Sequence, residues 1–190
     1  MIDTSSPRSA LALVKDRRPA GEDVVVGGRE QDMPRRALAL ADPRGLTAVA
    51  VSLGPGSFTG LRVGVSYGLG LAMGLGIPLL GLGSLEVQEA RSEAPVTALV
   101  EAGRGRLYWR APGGEPSLGD PADLPRWLPA VGWLGPATAE AVQAAGVRLL
   151  AEEELKGFAQ AAAALLGAAQ ELDYDTVELK YMQSVRSMRE

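Results

Sequence analysis

The sequence predicts an α/β protein with a mixed sheet and helices laid over it. Three observations carry that prediction. The chain opens with three short strand-like runs separated by turn residues. An apolar strand over residues 47–53 then ends abruptly at Gly54-Pro55-Gly56 and leads into a glycine-rich helix. A further strand over residues 78–82 follows that helix. Three antiparallel strands, then strand, helix and strand, give a mixed sheet with helices over it.

Taken in order, Ile2-Asp-Thr-Ser-Ser6 reads as a strand and polar turn, residues 10–14 as a second strand and Val24-Val-Val26 as a third, ended by Gly27-Gly28. Residues 29–40 read as a short polar helix that Pro34 weakens. In the Gly54-Pro55-Gly56 turn, Gly reaches backbone angles closed to other residues, and Pro fixes its own φ. Ser57 or Thr59 then caps a helix beginning near Gly60. Along it Gly60, Gly64, Gly68, Ala72 and Gly76 recur every fourth residue, beside a stripe of Leu61, Val65, Leu69 and Met73. That bare face invites another helix to approach closely. Its expected use is contact with a partner through Leu61, Gly64, Val65, Gly68, Leu69, Ala72 and Met73, the alternative being packing inside its own subdomain. Ser84 caps a short helix running to Arg91.

A change of character after Glu93 divides the chain into a first subdomain (residues 1–93) and a smaller second one (94–190). Residues 96–100 and 107–110 read as two strands joined at Gly103-Arg-Gly105. Residues 112–129 are rich in proline and loop-like, 131–134 form a short buried strand, and 138–145 a small helix. Residues 152–172 read as a last helix by their Ala and Leu content, with Glu152-Glu153-Glu154 at the positive end of its dipole.

Two other readings of the motif fail. A phosphate loop of the Walker type needs Lys-Ser/Thr at the helix start, where Leu61-Arg62 stands, and Gly54, Gly56 and Gly60 miss the dinucleotide spacing by one residue. The uncharged stretch from Arg62 to Glu86 is broken at Gly74-Leu-Gly-Ile-Pro78, which argues against a membrane span.

Composition narrows the chemistry. Of 190 residues, 46% are hydrophobic and 22% charged, ordinary for a globular protein. A net charge of −4 argues against direct, non-specific nucleic-acid binding. The chain has no cysteine and no histidine, so Ser-His-Asp, Cys-His and typical zinc sites cannot be built. What remains is carboxylate, hydroxyl and Lys/Arg chemistry, as in Mg²⁺-assisted phosphoryl transfer. No secretory leader is legible, so the cytoplasm is the expected location.

The runs Gly54-Pro-Gly-Ser-Phe-Thr-Gly-Leu-Arg-Val-Gly-Val65, Gly70-Leu-Ala-Met-Gly-Leu-Gly-Ile-Pro78 and Gly81-Leu-Gly-Ser-Leu-Glu86 resemble the TsaB (YeaZ) family. Ile2-Asp-Thr-Ser5 resembles its opening strand, Arg104-Gly-Arg-Leu-Tyr-Trp109 the start of its second subdomain, and the tail around Tyr181 its closing segment. The resemblance implies the actin-like ATPase fold, of the sugar kinase, heat-shock chaperone ATPase and ribonuclease H-like group, with two subdomains. It implies a non-catalytic role in forming N6-threonylcarbamoyladenosine at position 37 of ANN-decoding tRNAs.

The implied partners are the catalytic paralogue TsaD, as a heterodimer, and the ATPase TsaE. The tRNA is met only through the complex, and the chain alone forms a homodimer. No intrinsic cofactor is implied, ATP and metal residing on the partner subunits. Gly54, Pro55, Gly56, Ser57, Thr59, Gly60 and Arg62 form the motif loop, with Arg62 as a loop-ordering donor. Asp3, Thr4 and Ser5 correspond to one half of a vestigial nucleotide site. The chain departs from the family where only Met1-Ile2 precede Asp3, where Arg29-Glu-Gln-Asp32 replaces a His-Ser/Thr-Glu run, around Leu69, where a Lys is common, and at Glu101, where Asp is common. The second half of a nucleotide site therefore looks degraded. The rival readings are an actin-fold Mg-ATPase or kinase, and a homodimeric scaffold serving another partner.

Overall fold

The computed structural model describes residues 1–27 and 32–179. The first sheet has the order β3-β2-β1-β4-β5-β10. Its strands are β1 (Ile2–Asp3), β2 (Arg8–Lys15), β3 (Arg18–Val26), β4 (Val49–Ser52), β5 (Leu79–Leu82) and β10 (Gln170–Leu172). β1, β4 and β5 run parallel, whereas β2 and β10 are antiparallel to their neighbours. β3 is longer than its valine run foretells. Asp16 and Arg17, both at positive φ, turn the chain so tightly that pairing resumes at Lys15 and Arg18.

Alternation along β2 serves two cores. Leu11 belongs to one apolar cluster with Met33, Val51 and Val65, whereas Ala10 and Ala12 belong to another with Phe158 and Trp133. The first cluster is covered by α1 (Met33–Leu40) and α2 (Phe58–Leu75), the second by α5 (Phe158–Leu165). Pro34 does not weaken α1: it lies in the first turn, where its missing N–H costs nothing, and Asp32 accepts from Arg35 N at 3.2 Å. Arg29 to Gln31 and Tyr181 lie outside the described residues.

The second sheet, ordered β8-β7-β6-β9, comprises β6 (Thr97–Gly103), β7 (Arg106–Arg110), β8 (Ser117–Gly119) and β9 (Ala130–Val131). Gly103, Arg104 and Gly105 all take positive φ, which closes the predicted hairpin. One face of this sheet packs with Leu124, Val142 and Val147, bringing in α4 (Pro136–Ala144). The other packs on Leu85 of α3 (Ser84–Glu89).

Two expectations need correcting. Residues 152–172 are not one helix: a 3₁₀ turn at Glu152–Glu154, α5, a second 3₁₀ turn at Leu166–Ala168 and strand β10 succeed one another. Gly157 and Gly167 punctuate the segment, and Glu152 is engaged by arginines instead of opening a helix. The division at residue 93 also fails for the returning chain. α5 packs on β2 and β3, and β10 pairs with β5, so residues 158–172 complete the first sheet. The reason is packing: the alanine face of α5 fills the space beside Ala10 and Ala12.

Candidate functional site

The site is the junction of the turn after β1 with the motif loop and α2. The Gly54–Pro55 peptide is cis, and the loop folds back over residues 3–5. Ser57 N donates to Ser5 O at 2.8 Å, and Ser84 N donates to Gly54 O at 2.9 Å. Ser57, not Thr59, caps the helix, its Oγ accepting from Gly60 N at 3.2 Å. Thr4 Oγ1 donates to Gly60 O at 2.6 Å.

Gly56, Gly60, Gly64 and Gly68 mark points where the chain meets itself. A Cβ on Gly56 would sit 2.5 Å from Ser5 O. One on Gly60 would overlap Thr4 O, one on Gly64 would overlap Thr4 Oγ1, and one on Gly68 would overlap Val51 Cγ1. The close approach foreseen for the bare face is therefore made inside the chain, to β1 and β4. Gly64, Gly68, Leu61, Val65 and Ala72 are all buried there and are withdrawn as partner-contacting residues. A helix laid on a sheet exploits small residues as a helix pair does, and periodicity cannot separate the two.

Of the predicted contact residues, Met73 is exposed at 55% and Leu69 is half-buried. The outward face of α2 instead presents Phe58 (47% exposed), Arg62, Ser66 and Met73. The Arg62 guanidinium lies 3.8 Å above the Phe58 ring, and a shallow groove runs between Phe58, Thr59, Arg62, Val63 and Ser66. Arg62 thus lies over its own helix face and not on the loop. Phe58, absent from the expected contact set, was findable: it stands one helical turn before Arg62, on the side away from the glycines.

Asp3, Thr4 and Ser5 lie together and are buried, Asp3 completely. Burial pushes the Asp3 carboxyl above its usual range. The Ser5 N–H donating to Oδ1 at 2.8 Å opposes this, helped by the nearby hydroxyls of Ser5 and Ser52, neither of which reaches hydrogen-bonding geometry. Asp3 Oδ2 and the hydroxyls of Ser5, Ser52 and Ser84 are buried without hydrogen-bond partners. Magnesium-nucleotide, the group an actin-like fold implies, does not fit this geometry, because the carboxylate that would face it is completely buried. Among the described residues no group of three or more His, Cys, Asp or Glu is placed to hold a metal ion. At the start of the second sheet, Glu101 Oε1 accepts from Gly135 N at 2.7 Å and serves the fold.

The sheet order, the antiparallel β2 and the helix following β4 define an actin-like α/β protein with two sheets and a sealed first-strand turn. Residues 33–118 match the family model described as TsaD: tRNA N6-adenosine threonylcarbamoyltransferase. An uncharacterized protein of Mycobacterium tuberculosis is 35% identical over 117 residues, covering 57% of this chain and 56% of that protein. The tRNA threonylcarbamoyladenosine biosynthesis protein TsaB of Bacillus subtilis is 31% identical over 117 residues, covering 56% of this chain and 51% of its own length. The chain thus spans about half the length of the curated relatives it matches. The solved structure of YeaZ from Pseudomonas aeruginosa superposes with a TM-score of 0.72 at 20% identity, over 95% of this chain and 97% of that one. The chain is similar to the TsaB (YeaZ) proteins and shares their fold.

Proposed function

We propose that this chain is a non-catalytic subunit in the synthesis of N6-threonylcarbamoyladenosine on tRNA, acting as the partner of a TsaD-type transferase. The observation that carries the reading is the pairing of a sealed Asp3 with an exposed strip on α2. The first-strand carboxylate has no access to a substrate, while Phe58, Arg62 and Met73 offer a partner an aromatic ring, a cation and a flexible apolar side chain. The relatives named for this pathway supply the reaction.

On this reading the transferase chemistry, ATP and metal belong to the partner subunits, a TsaE-type ATPase joins the assembly, and tRNA is engaged through the complex. In the absence of TsaD the same strip pairs with a second copy, and the complex works in the cytoplasm. No helix among the described residues is long and apolar enough to cross a membrane.

The test is light scattering after size exclusion of the chain, alone and mixed with the TsaD paralogue of the same genome. The expected result is a new heterodimeric species whose formation Met73→Asp weakens. Two separate peaks that persist with TsaE, nucleotide and tRNA present would overturn the reading. ATP turnover by the chain alone would instead favour the actin-fold ATPase.

A further inference from the structure

Trp133 follows β9 in the second sheet yet is buried in the first lobe. It packs with Ala10 and Ala12 of β2, Leu82 of β5, Val87 of α3 and the Phe158 ring, whose centroid is 5.6 Å away. Ala10 is the strand partner of Asp3, so the indole covers the strand pair that carries the first-strand carboxylate. A Cβ on the preceding Gly132 would sit 2.9 Å from Leu99 Cβ, so that residue must stay small for the chain to turn here. Two guanidinium groups lie over the indole, that of Arg91 at 4.7 Å and that of Arg8 at 5.6 Å.

Glu152 joins the two arginines. Its Oε1 lies 3.2 Å from Arg8 Nη1, and its Oε2 accepts from Arg91 Nη2. Arg91 is otherwise satisfied by Gln88 Oε1 at 3.2 Å and Lys156 O at 3.3 Å. The exposures are unequal: the Arg91 side chain is 2% exposed and that of Glu152 is 44%. A buried guanidinium needs its anion, because an unpaired charge at that depth is expensive. The anion that satisfies it stands at the surface, where solvent can reach it.

These residues come from four separate stretches: the start of β2, the crossing after α3, the exit from β9 and the returning chain before α5. We infer that Arg8, Arg91 and Glu152 form a latch that holds Trp133 in place and keeps the two sheets closed over the Asp3 strand pair. Opening the molecule between its sheets requires withdrawing the indole, and withdrawing the indole requires Glu152 to release both arginines. The inference concerns closure of this chain and is independent of which partner it meets.

Hydrogen exchange followed by NMR on the full chain tests it, with the Trp133 indole N–H assigned by Trp133→Phe. Glu152→Ala is expected to speed exchange of that indole about tenfold or more while amides of β4 and α2 keep their protection, the signature of a local opening. Unchanged indole exchange would overturn the latch. Equal acceleration at Trp133 and in β4 and α2 would also overturn it, since that is global destabilisation. Should Glu152→Ala fail to fold, Arg8→Gln, at a side chain 29% exposed, carries the same three readings.

Discussion

Thr4 Oγ1 donates a 2.6 Å hydrogen bond to Gly60 O across 56 residues of sequence, fastening the turn after the first strand to the first turn of α2. The bond forms only because residue 60 has no side chain to hold the two backbones apart. Replacing Thr4 by valine removes the donor and sets a methyl group against Gly60 O. Thr4→Val should lower the unfolding free energy by about 1 kcal/mol, measured by urea titration.

Gly68→Leu should leave no folded protein. The new side chain would enter the space of Val51 Cγ1 in the central strand, an overpacking cost of about 3 kcal/mol or more. Far-UV circular dichroism of the soluble fraction reads the outcome. A folded Gly68→Leu variant that has lost only its partner would show that this face looks outward.

Met73→Asp should behave oppositely. At 55% exposure the change should shift Tm by no more than about 2 °C. Affinity for the TsaD partner, titrated by calorimetry, should fall about tenfold or more if the strip is the contact. Unaltered affinity would move the contact off the outer face of α2.

Asp3 sets a pH dependence whose sign follows from burial. An unfolded aspartate titrates near 3.8, and the folded carboxyl titrates higher, so the native state holds this proton more strongly. Its contribution to stability is therefore full below 3.8 and is lost as pH rises through the folded value. Asp3→Asn abolishes the titration. Relative to Asp3→Asn, the parent should lose stability as pH rises above about 3.8, measured by denaturant unfolding at each pH. A flat difference would mean that the carboxyl is not desolvated.

Ser57→Ala removes the cap whose Oγ accepts from Gly60 N, and should cost about 1 kcal/mol in the same titration. Thr59→Ala, at an exposed position that caps nothing, should cost far less.

The strand-turn-helix around Gly54 was legible because its signals are local: an apolar run, residues that stop it, a cap and a helical period. The β6–β7 hairpin was legible for the same reason, through glycines on either side of Arg104. The last quarter of the chain misled, because alanine and leucine run on through residues 155–172 and local content favours one helix. Only the vacancy beside Ala10 and Ala12, and the free edge of β5, divide that run into a helix and a strand.

The candidate site splits along the same line. The sequence by itself determined that α2 has a bare face, that Asp3 opens the fold, and that histidine and cysteine chemistry is out of reach, since these follow from residue identity and spacing. Which surface meets the bare face was decided by tertiary structure, as were the burial of Asp3 and the union of Arg8, Arg91, Trp133 and Glu152. A period of four places glycines in a row but carries no information about what lies opposite. The partners, Ile2, Thr4 and Val51, come from β1, the turn after it and β4, which only the folded sheet brings beneath the helix.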